Sequence, residues 1–81
     1  MRIEVLLFAS AREAVGTAQR TMEVPEGAAV SRVLDLLLEQ HPELVPARRS
    51  LRFAVNEDFV DAAAALHDGD RLALLPPVSG G

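Results

Sequence analysis

The residues with the clearest capacity for chemistry are Gly80 and Gly81, which end the sequence. A terminal carboxylate is a poor electrophile, but joined to AMP it becomes reactive, and sulfur can then replace one oxygen to give a thiocarboxylate. Residues 77–81 span at most ~16–18 Å when extended, and glycine lets a narrow tunnel close on bare backbone. The pattern therefore suits a tail that enters another protein's active site. On the Gly-Gly pair alone, a frayed chain end is the favoured interpretation.

Other side chains offer little chemistry. The sequence has no cysteine and two histidines, His41 and His67, which excludes disulfide scaffolds, cysteine nucleophiles and the usual zinc frameworks. The serines lack a plausible histidine and acid arrangement, so we expect no self-sufficient active site. A group of acidic residues lacks the ligand spacing of a calcium loop. We expect it to bind no metal and to form a solvated face that steers a basic partner; its members are Glu57, Asp58, Asp61, Asp68 and Asp70.

Charge and hydropathy exclude two classes of partner. Eight arginines and no lysine stand against twelve acidic residues, giving a net charge of −4, so the chain lacks the basic footprint that nucleic acid requires. The longest purely apolar run, Val5 to Ala9, is far shorter than the ~20 residues that span a bilayer. The start Met-Arg-Ile-Glu has no features of a secretory signal. We therefore expect a cytoplasmic protein that binds neither nucleic acid nor membrane.

Alternating apolar residues predict the strands that must position the tail. In the first strand, Ile3, Val5 and Leu7 fall on one face, while Leu6 and Phe8 fall on the other. The first and last strands are the most apolar, so we expect them side by side at the centre of the sheet. Turn signals at 56–58 and 67–70 separate the later strands. The predicted strands are 2–9, 19–24, 51–55, 59–60 and 71–75.

One helical stripe is evident. Apolar residues recur at i, i+3, i+4, i+7 and i+8 from Val30, which predicts a helix over residues 30–40 that ends before Pro42. Ser10 and Glu13 have the spacing of a capping box for a short helical turn that ends at Gly16. Together these elements predict an α+β fold, a mixed four- to five-stranded sheet with one main helix on one face. We expect a domain over residues 1–76 and a flexible tail over 77–81.

A single helix leaves the second face of the sheet uncovered. Leu6, Phe8 and Leu75 alternate away from the predicted core, and Phe59 lies at a tight turn. Exposed apolar clusters on small chains usually mark partner sites. Alternation alone leaves a second interpretation open, in which these side chains pack against loops of the same chain.

With this β-grasp order of elements and the ending Pro76-Pro77-Val78-Ser79-Gly80-Gly81, the whole chain resembles the small subunit of molybdopterin synthase. This family of ubiquitin-like sulfur carriers is called MoaD in bacteria. The Pro-Pro-Val-Ser-Gly-Gly ending is the most specific element, because a bare Gly-Gly is shared by ubiquitin and by carriers for thiamine and tRNA thiolation. The likeness also covers Val5–Ala9, Arg12-Glu13, Ala54-Val55-Asn56 and Asp68-Gly69-Asp70.

The resemblance implies a cycle of activation and sulfur transfer. An ATP-dependent activating enzyme adenylates Gly81, and a sulfur donor converts it to the thiocarboxylate. The tail then enters the large subunit of the synthase and delivers sulfur to cyclic pyranopterin monophosphate, forming the dithiolene of molybdopterin. By this likeness the chain is not an enzyme on its own and binds no cofactor, since the ATP belongs to the activating enzyme.

The resemblance also implies which residues meet the partners. Exposed apolar residues of the sheet contact both of them in this family, and Phe8, Phe59 and Leu75 occupy the matching positions, followed by the tail residues 76–79. The family pattern implies a heterotetramer with two large subunits. The lack of lysine departs from that pattern and removes any lysine salt bridge to the large subunit. Two alternatives stay open: a carrier for thiamine, cysteine or tRNA thiolation, and a ubiquitin-like interaction domain whose tail never reacts.

Overall fold

The computed structural model describes residues 1–77, so the predicted tail residues 78–81 lie outside the described residues. The strands and the main helix agree with the sequence prediction to within two residues at each end, and the α+β class is confirmed. The elements in chain order are β1 (Arg2–Leu7), α1 (Ala9–Val15), β2 (Gln19–Glu23), α2 (Val30–Gln40), a 3-10 helix (Pro42–Ser50), β3 (Arg52–Val55), β4 (Asp58–Val60) and β5 (Arg71–Leu75).

The five strands form one mixed sheet in the order β2-β1-β5-β3-β4. As predicted, the first and last strands are neighbours near its centre, and they run parallel, with Val5 opposite Leu72 and Leu7 opposite Leu74. The other pairs are antiparallel. Residues opposite each other share a face of the sheet, so this register places the most apolar side chains of both strands on the same side.

The core lies between that side of the sheet and α2. The apolar stripe of α2 is buried along its whole length, from Val30 to Leu38. It packs in one cluster with the fully buried Ile3, Val5 and Leu72. Full burial of such a side chain contributes ~1.5–3 kcal/mol, so this cluster decides which face of the sheet is turned inward.

The 3-10 helix that follows α2 was not predicted, because Pro42 and Pro46 indicate only chain breaks. It buries Leu44 in the core cluster. At its start, His41 Nε2 lies 2.8 Å from Arg20 Nη1. Arginine can only donate, so Nε2 of His41 accepts this hydrogen bond. The contact joins β2 to the end of α2.

The predicted capping box at Ser10 is wrong. Helix α1 begins at Ala9, its N-cap is Phe8, and no side chain caps it. The physical reason is the phase of the helix: it turns Ala11 fully into the core, with Ala14 and Val15 packed against it. This phase needs a sharp turn before Ser10, which Ala9 makes with φ 48°. The predicted end is confirmed, since Gly16 has φ 88° and its N–H donates to the Arg12 carbonyl over 2.8 Å.

Within residues 1–77, the helices are too short and too polar for any of them to cross a bilayer.

Candidate functional site

The candidate site is the open face of the sheet, the face opposite α2. Four strands contribute one row of side chains to it, because Leu6 lies opposite Ala73, Ala73 opposite Ala54, and Ala54 opposite Phe59. Leu6 belongs to the outward set that alternation predicts and Phe59 was predicted from its turn, whereas the sequence did not single out the two alanines. The row joins large apolar side chains at its two ends to two alanines in its middle.

A groove of about 560 Å³ runs over these alanines. Their methyl groups leave a depression between the larger side chains of Leu6, Phe8 and Leu75. Phe8 is 46% exposed even though it borders the groove. Asn56, Glu57 and Arg71 make one end of the groove polar, whereas its middle is apolar and can accept an apolar side chain of a partner. Its lining consists of Leu6, Phe8, Ala54, Asn56, Glu57, Arg71, Ala73 and Leu75.

Two of the three apolar residues predicted for partner binding share this groove. Phe8 and Leu75 line it, while Phe59 lies on the same face, on the edge strand β4, and borders a smaller groove of about 330 Å³ beside β3. Phe59 is 71% exposed. Within residues 1–77, Phe59 thus keeps most of its apolar surface and Phe8 nearly half of it available to another molecule.

The last described residues follow the central strand of the sheet. β5 ends at Leu75, Pro76 is half-buried and Pro77 is exposed. Since Leu75 borders the groove, the chain leaves the central strand beside the groove of the open face. The other predicted tail residues, Val78, Ser79, Gly80 and Gly81, lie outside the described residues.

Two turns meet at the polar end of the groove, a feature that sequence reasoning missed. Asn56 Nδ2 donates to Asp70 Oδ1 over 3.0 Å, and Asn56 Oδ1 accepts from the Arg71 N–H over 3.0 Å. Asp70 Oδ2 also accepts from the His67 N–H over 2.8 Å. Asparagine and aspartate are typical turn residues, and that signal marks each turn separately without showing that the two are joined.

The acidic residues that were predicted to form one solvated face have different environments. Asp70 and Asp61 accept backbone hydrogen bonds near their own turns, and Asp68 Oδ1 accepts from the Arg2 N–H over 2.7 Å. Glu57 and Asp58 are exposed at the tip of the β3–β4 hairpin. Among residues 1–77, no three acidic or histidine side chains converge as metal ligands would. Steering of a basic partner stays a prediction; four of the five acidic residues are exposed, and Asp70 is half-buried.

The family of the chain follows from comparison with known proteins. Residues 5–81 match the ThiS family. The chain belongs to the ThiS family. The match includes the open face and extends through the end of the sequence.

Curated relatives of this ThiS-family chain agree with the resemblance to the small subunit of molybdopterin synthase, which is confirmed. The chain is 39% identical over 83 residues to the molybdopterin synthase sulfur carrier subunit of Chlamydomonas reinhardtii, and the alignment covers 100% of both proteins. It is 38% identical over 81 residues to the Arabidopsis thaliana protein of the same name, with 100% of this chain and 84% of the relative covered.

Solved structures confirm the β-grasp fold. SAMP1 from Haloferax volcanii has a TM-score of 0.85 to this ThiS-family chain and 32% identity, with 100% of both chains covered. A chain from the complex of subunits 1 and 2 of the molybdopterin-converting factor of Helicobacter pylori 26695 has a TM-score of 0.68 and 27% identity, again with 100% of both chains covered.

Proposed function

We propose that this chain is the sulfur carrier subunit of molybdopterin synthase and that Gly81 is adenylated, converted to a thiocarboxylate and used to donate sulfur to cyclic pyranopterin monophosphate. The observation that supports the proposal is that β5 ends at Leu75, which also lines the groove, two residues before the predicted tail. A partner that grips the open face therefore receives the tail beside its own contact surface. The full-length relatives named as molybdopterin synthase sulfur carrier subunits support the same reading.

In this proposal the reactive groups belong to the partners and not to this chain. The sequence has no cysteine, and Ser10 and Ser31 have no hydrogen bond to a histidine or carboxylate side chain within residues 1–77. The chain itself therefore supplies a carboxylate and a surface to hold, and its partners supply the reactive groups. An ATP-dependent activating enzyme joins the Gly81 carboxylate to AMP, and a sulfur nucleophile from the donor displaces AMP. The chain binds no cofactor in this scheme, because the ATP is held by the activating enzyme.

The tail residues suit delivery into a confined site. Pro76 and Pro77 fix φ near −65° and stiffen the exit from the sheet. Gly80 and Gly81 present no side chain to the walls of a tunnel. We infer that Phe8, Phe59 and Leu75 hold the partner while residues 76–79 guide the last two glycines into its active site.

The large subunit of the synthase is the partner that we propose for the open face. The Helicobacter pylori structure holds subunit 1 of the molybdopterin-converting factor together with subunit 2, and its β-grasp chain matches the whole of this one. We infer a heterotetramer with two large subunits for the present chain. We also infer that the activating enzyme uses the same face, so the two partners bind in turn.

The test is the mass of the intact chain after incubation with ATP, the activating enzyme and a sulfur donor. We expect the chain to gain the difference between one sulfur and one oxygen atom, and to lose it when the large subunit and cyclic pyranopterin monophosphate are added. A variant that lacks Gly81 should show neither change. Molybdopterin formation supported by this truncated variant would overturn the proposal.

Repeating the transfer step with a thiazole synthase as a second acceptor separates molybdopterin synthesis from thiamine synthesis. Loss of the added sulfur to a thiazole synthase, and not to the pterin synthase large subunit, would assign the chain to thiamine synthesis. An unchanged mass together with normal partner binding would assign it to the non-reactive interaction domains. The relatives named as molybdopterin synthase sulfur carrier subunits favour transfer to the large subunit of the pterin synthase.

A further inference from the structure

Arg71 is the cation of the groove, and its nearest acidic neighbour in the sheet is turned away from it. In the parallel register of β1 and β5, Arg71 lies opposite Glu4. The Glu4 carboxylate instead accepts hydrogen bonds from Gln19 Nε2 and, over 3.3 Å, from Thr21 Oγ1, both on β2. No carboxylate oxygen of residues 1–77 lies within 4.0 Å of the Arg71 guanidinium.

Three of the other seven arginines have side-chain partners within the same part of the chain. Arg2 Nε lies 3.1 Å from Glu23 Oε1, Arg48 pairs with Asp35, and Arg20 donates to His41. Arg71 differs from these three in lining the groove of the open face. Its positive charge is thus exposed on the surface to which the proposed partner binds.

The backbone that carries Arg71 is held in place. The Arg71 N–H donates to Asn56 Oδ1 over 3.0 Å, and the Arg71 carbonyl accepts from the Asn56 N–H over 2.9 Å. β5 is also the central strand of the sheet, paired on both sides. These contacts fix the point from which the Arg71 side chain extends, and the planar fork of its guanidinium matches a carboxylate in a bidentate pair.

We propose that the partner on the open face places a carboxylate against Arg71 and an apolar side chain over Ala54 and Ala73. This inference rests on the proposed function and names the chemistry of the surface that the large subunit must present. The apolar contact supplies most of the affinity, whereas the ion pair fixes the register of docking and rejects partners with a basic residue at that point.

Glu57 lies at the same end of the groove as Arg71 and carries the opposite charge. It lines the groove together with Arg71 but forms no ion pair with it among residues 1–77. A partner carboxylate near Arg71 is repelled by Glu57, and a partner cation would be attracted by it. Neutralising each residue in turn therefore reports the sign of the partner's charge.

The experiment measures the affinity of the wild-type chain and three variants for the large subunit of molybdopterin synthase from the same organism. Arg71→Gln should weaken binding ~10-fold, since truncating one member of a docked charge pair lowers affinity substantially. Glu57→Gln should bind more tightly than the wild type, because the change removes the repulsion between Glu57 and the partner's carboxylate. Arg32→Gln is the matched control, because Arg32 is exposed on α2, across the domain from the open face, and the change in net charge is the same. Added salt should weaken the wild type more than Arg71→Gln.

Two results would overturn the inference. One is an affinity of Arg71→Gln within twofold of that of Arg32→Gln. The other is a loss of affinity in Glu57→Gln but not in Arg71→Gln. Thermal unfolding should be the same for all three variants, because Arg32, Glu57 and Arg71 are exposed. If the wild type gains sulfur on Gly81 and binds the large subunit while Arg71→Gln matches its control, the Arg71 inference fails and the proposed function stands. If the wild type neither gains sulfur nor binds, both fail.

Discussion

Asn56 and Asp70, which are fourteen residues apart, join the β3–β4 hairpin to the turn before β5 through a hydrogen bond of 3.0 Å between Asn56 Nδ2 and Asp70 Oδ1. The other Asp70 oxygen accepts from the His67 N–H, and the Asp70 side chain is only 14% exposed. One carboxylate thus serves two turns at the polar end of the groove. It holds the Asn56 and Arg71 side of the groove at a fixed position relative to the sheet.

Replacing Asp70 by alanine should destabilise the fold by ~1–3 kcal/mol, because a largely buried acceptor is lost and its donors are left unsatisfied. Chemical denaturation monitored by circular dichroism measures this change. Asp58→Ala is the control. The Asp58 side chain is exposed and accepts no hydrogen bond within residues 1–77. Equal losses in the two variants would show that the link between the turns contributes nothing.

The sequence contains enough information for most of the sheet and for α2, because their apolar periodicity is strong. It is insufficient where small residues decide the structure. The start of α1 depends on the burial of Ala11, and alanine is too common on surfaces and in cores to signal burial. The 3-10 helix buries only Leu44, which is too little apolar periodicity to detect beside two prolines.

The candidate site divides in the same way. Alternation in β1 and β5 was sufficient to place Phe8 and Leu75 on the open face. The groove between them depends on Ala54 and Ala73 lying opposite each other, which is a matter of strand order and register. The direction taken by the Glu4 carboxylate depends on its neighbours in β2. Contacts between strands that are distant in sequence cannot be read from either strand alone.

Glu57 has an unfavourable backbone conformation that a substitution should relieve. The hairpin turn places Asn56 at φ 50° and Glu57 at φ 75°, the left-handed pair of a two-residue turn in which glycine is preferred at the second position. Glu57→Gly should therefore raise the free energy of unfolding by ~0.5–1 kcal/mol. Denaturant titration checks the gain. The same change at Asp58, which has no positive φ, should lower stability, and a gain at both positions would contradict the explanation.

Phe8→Ser separates binding from folding on the open face. Phe8 is 46% exposed, so its loss should cost ~1 kcal/mol of stability, about half of what full burial of an aromatic side chain contributes. Serine is also a preferred N-cap and should not disturb the start of α1. Binding to the large subunit should fall at least tenfold, because apolar anchors dominate interface energies.

The matched control for Phe8→Ser is Phe53→Ser. Phe53 belongs to the core and is 9% exposed, so this change should cost ~3–5 kcal/mol. Thermal unfolding and affinity measured on all three chains distinguish the two roles. A loss of stability at Phe8 as large as that at Phe53 would mean that Phe8 serves the fold and not a partner.

Filling the groove should block docking while leaving the fold intact. Ala73 lies in the middle of the row between Leu6 and Ala54, and the groove of about 560 Å³ has space for a larger side chain. Ala73→Leu should change the free energy of unfolding by less than ~1 kcal/mol, because the added atoms enter open space and not the packed core. The affinity for the large subunit should fall at least tenfold, since the leucine occupies the place of the partner's apolar side chain.

Ala63→Leu is the matched control. It lies at an exposed position in the turn after β4 and should leave the affinity unchanged. Undiminished binding by Ala73→Leu would show that the partner does not enter the groove, whereas weaker binding confined to this variant would locate the contact over Ala54 and Ala73.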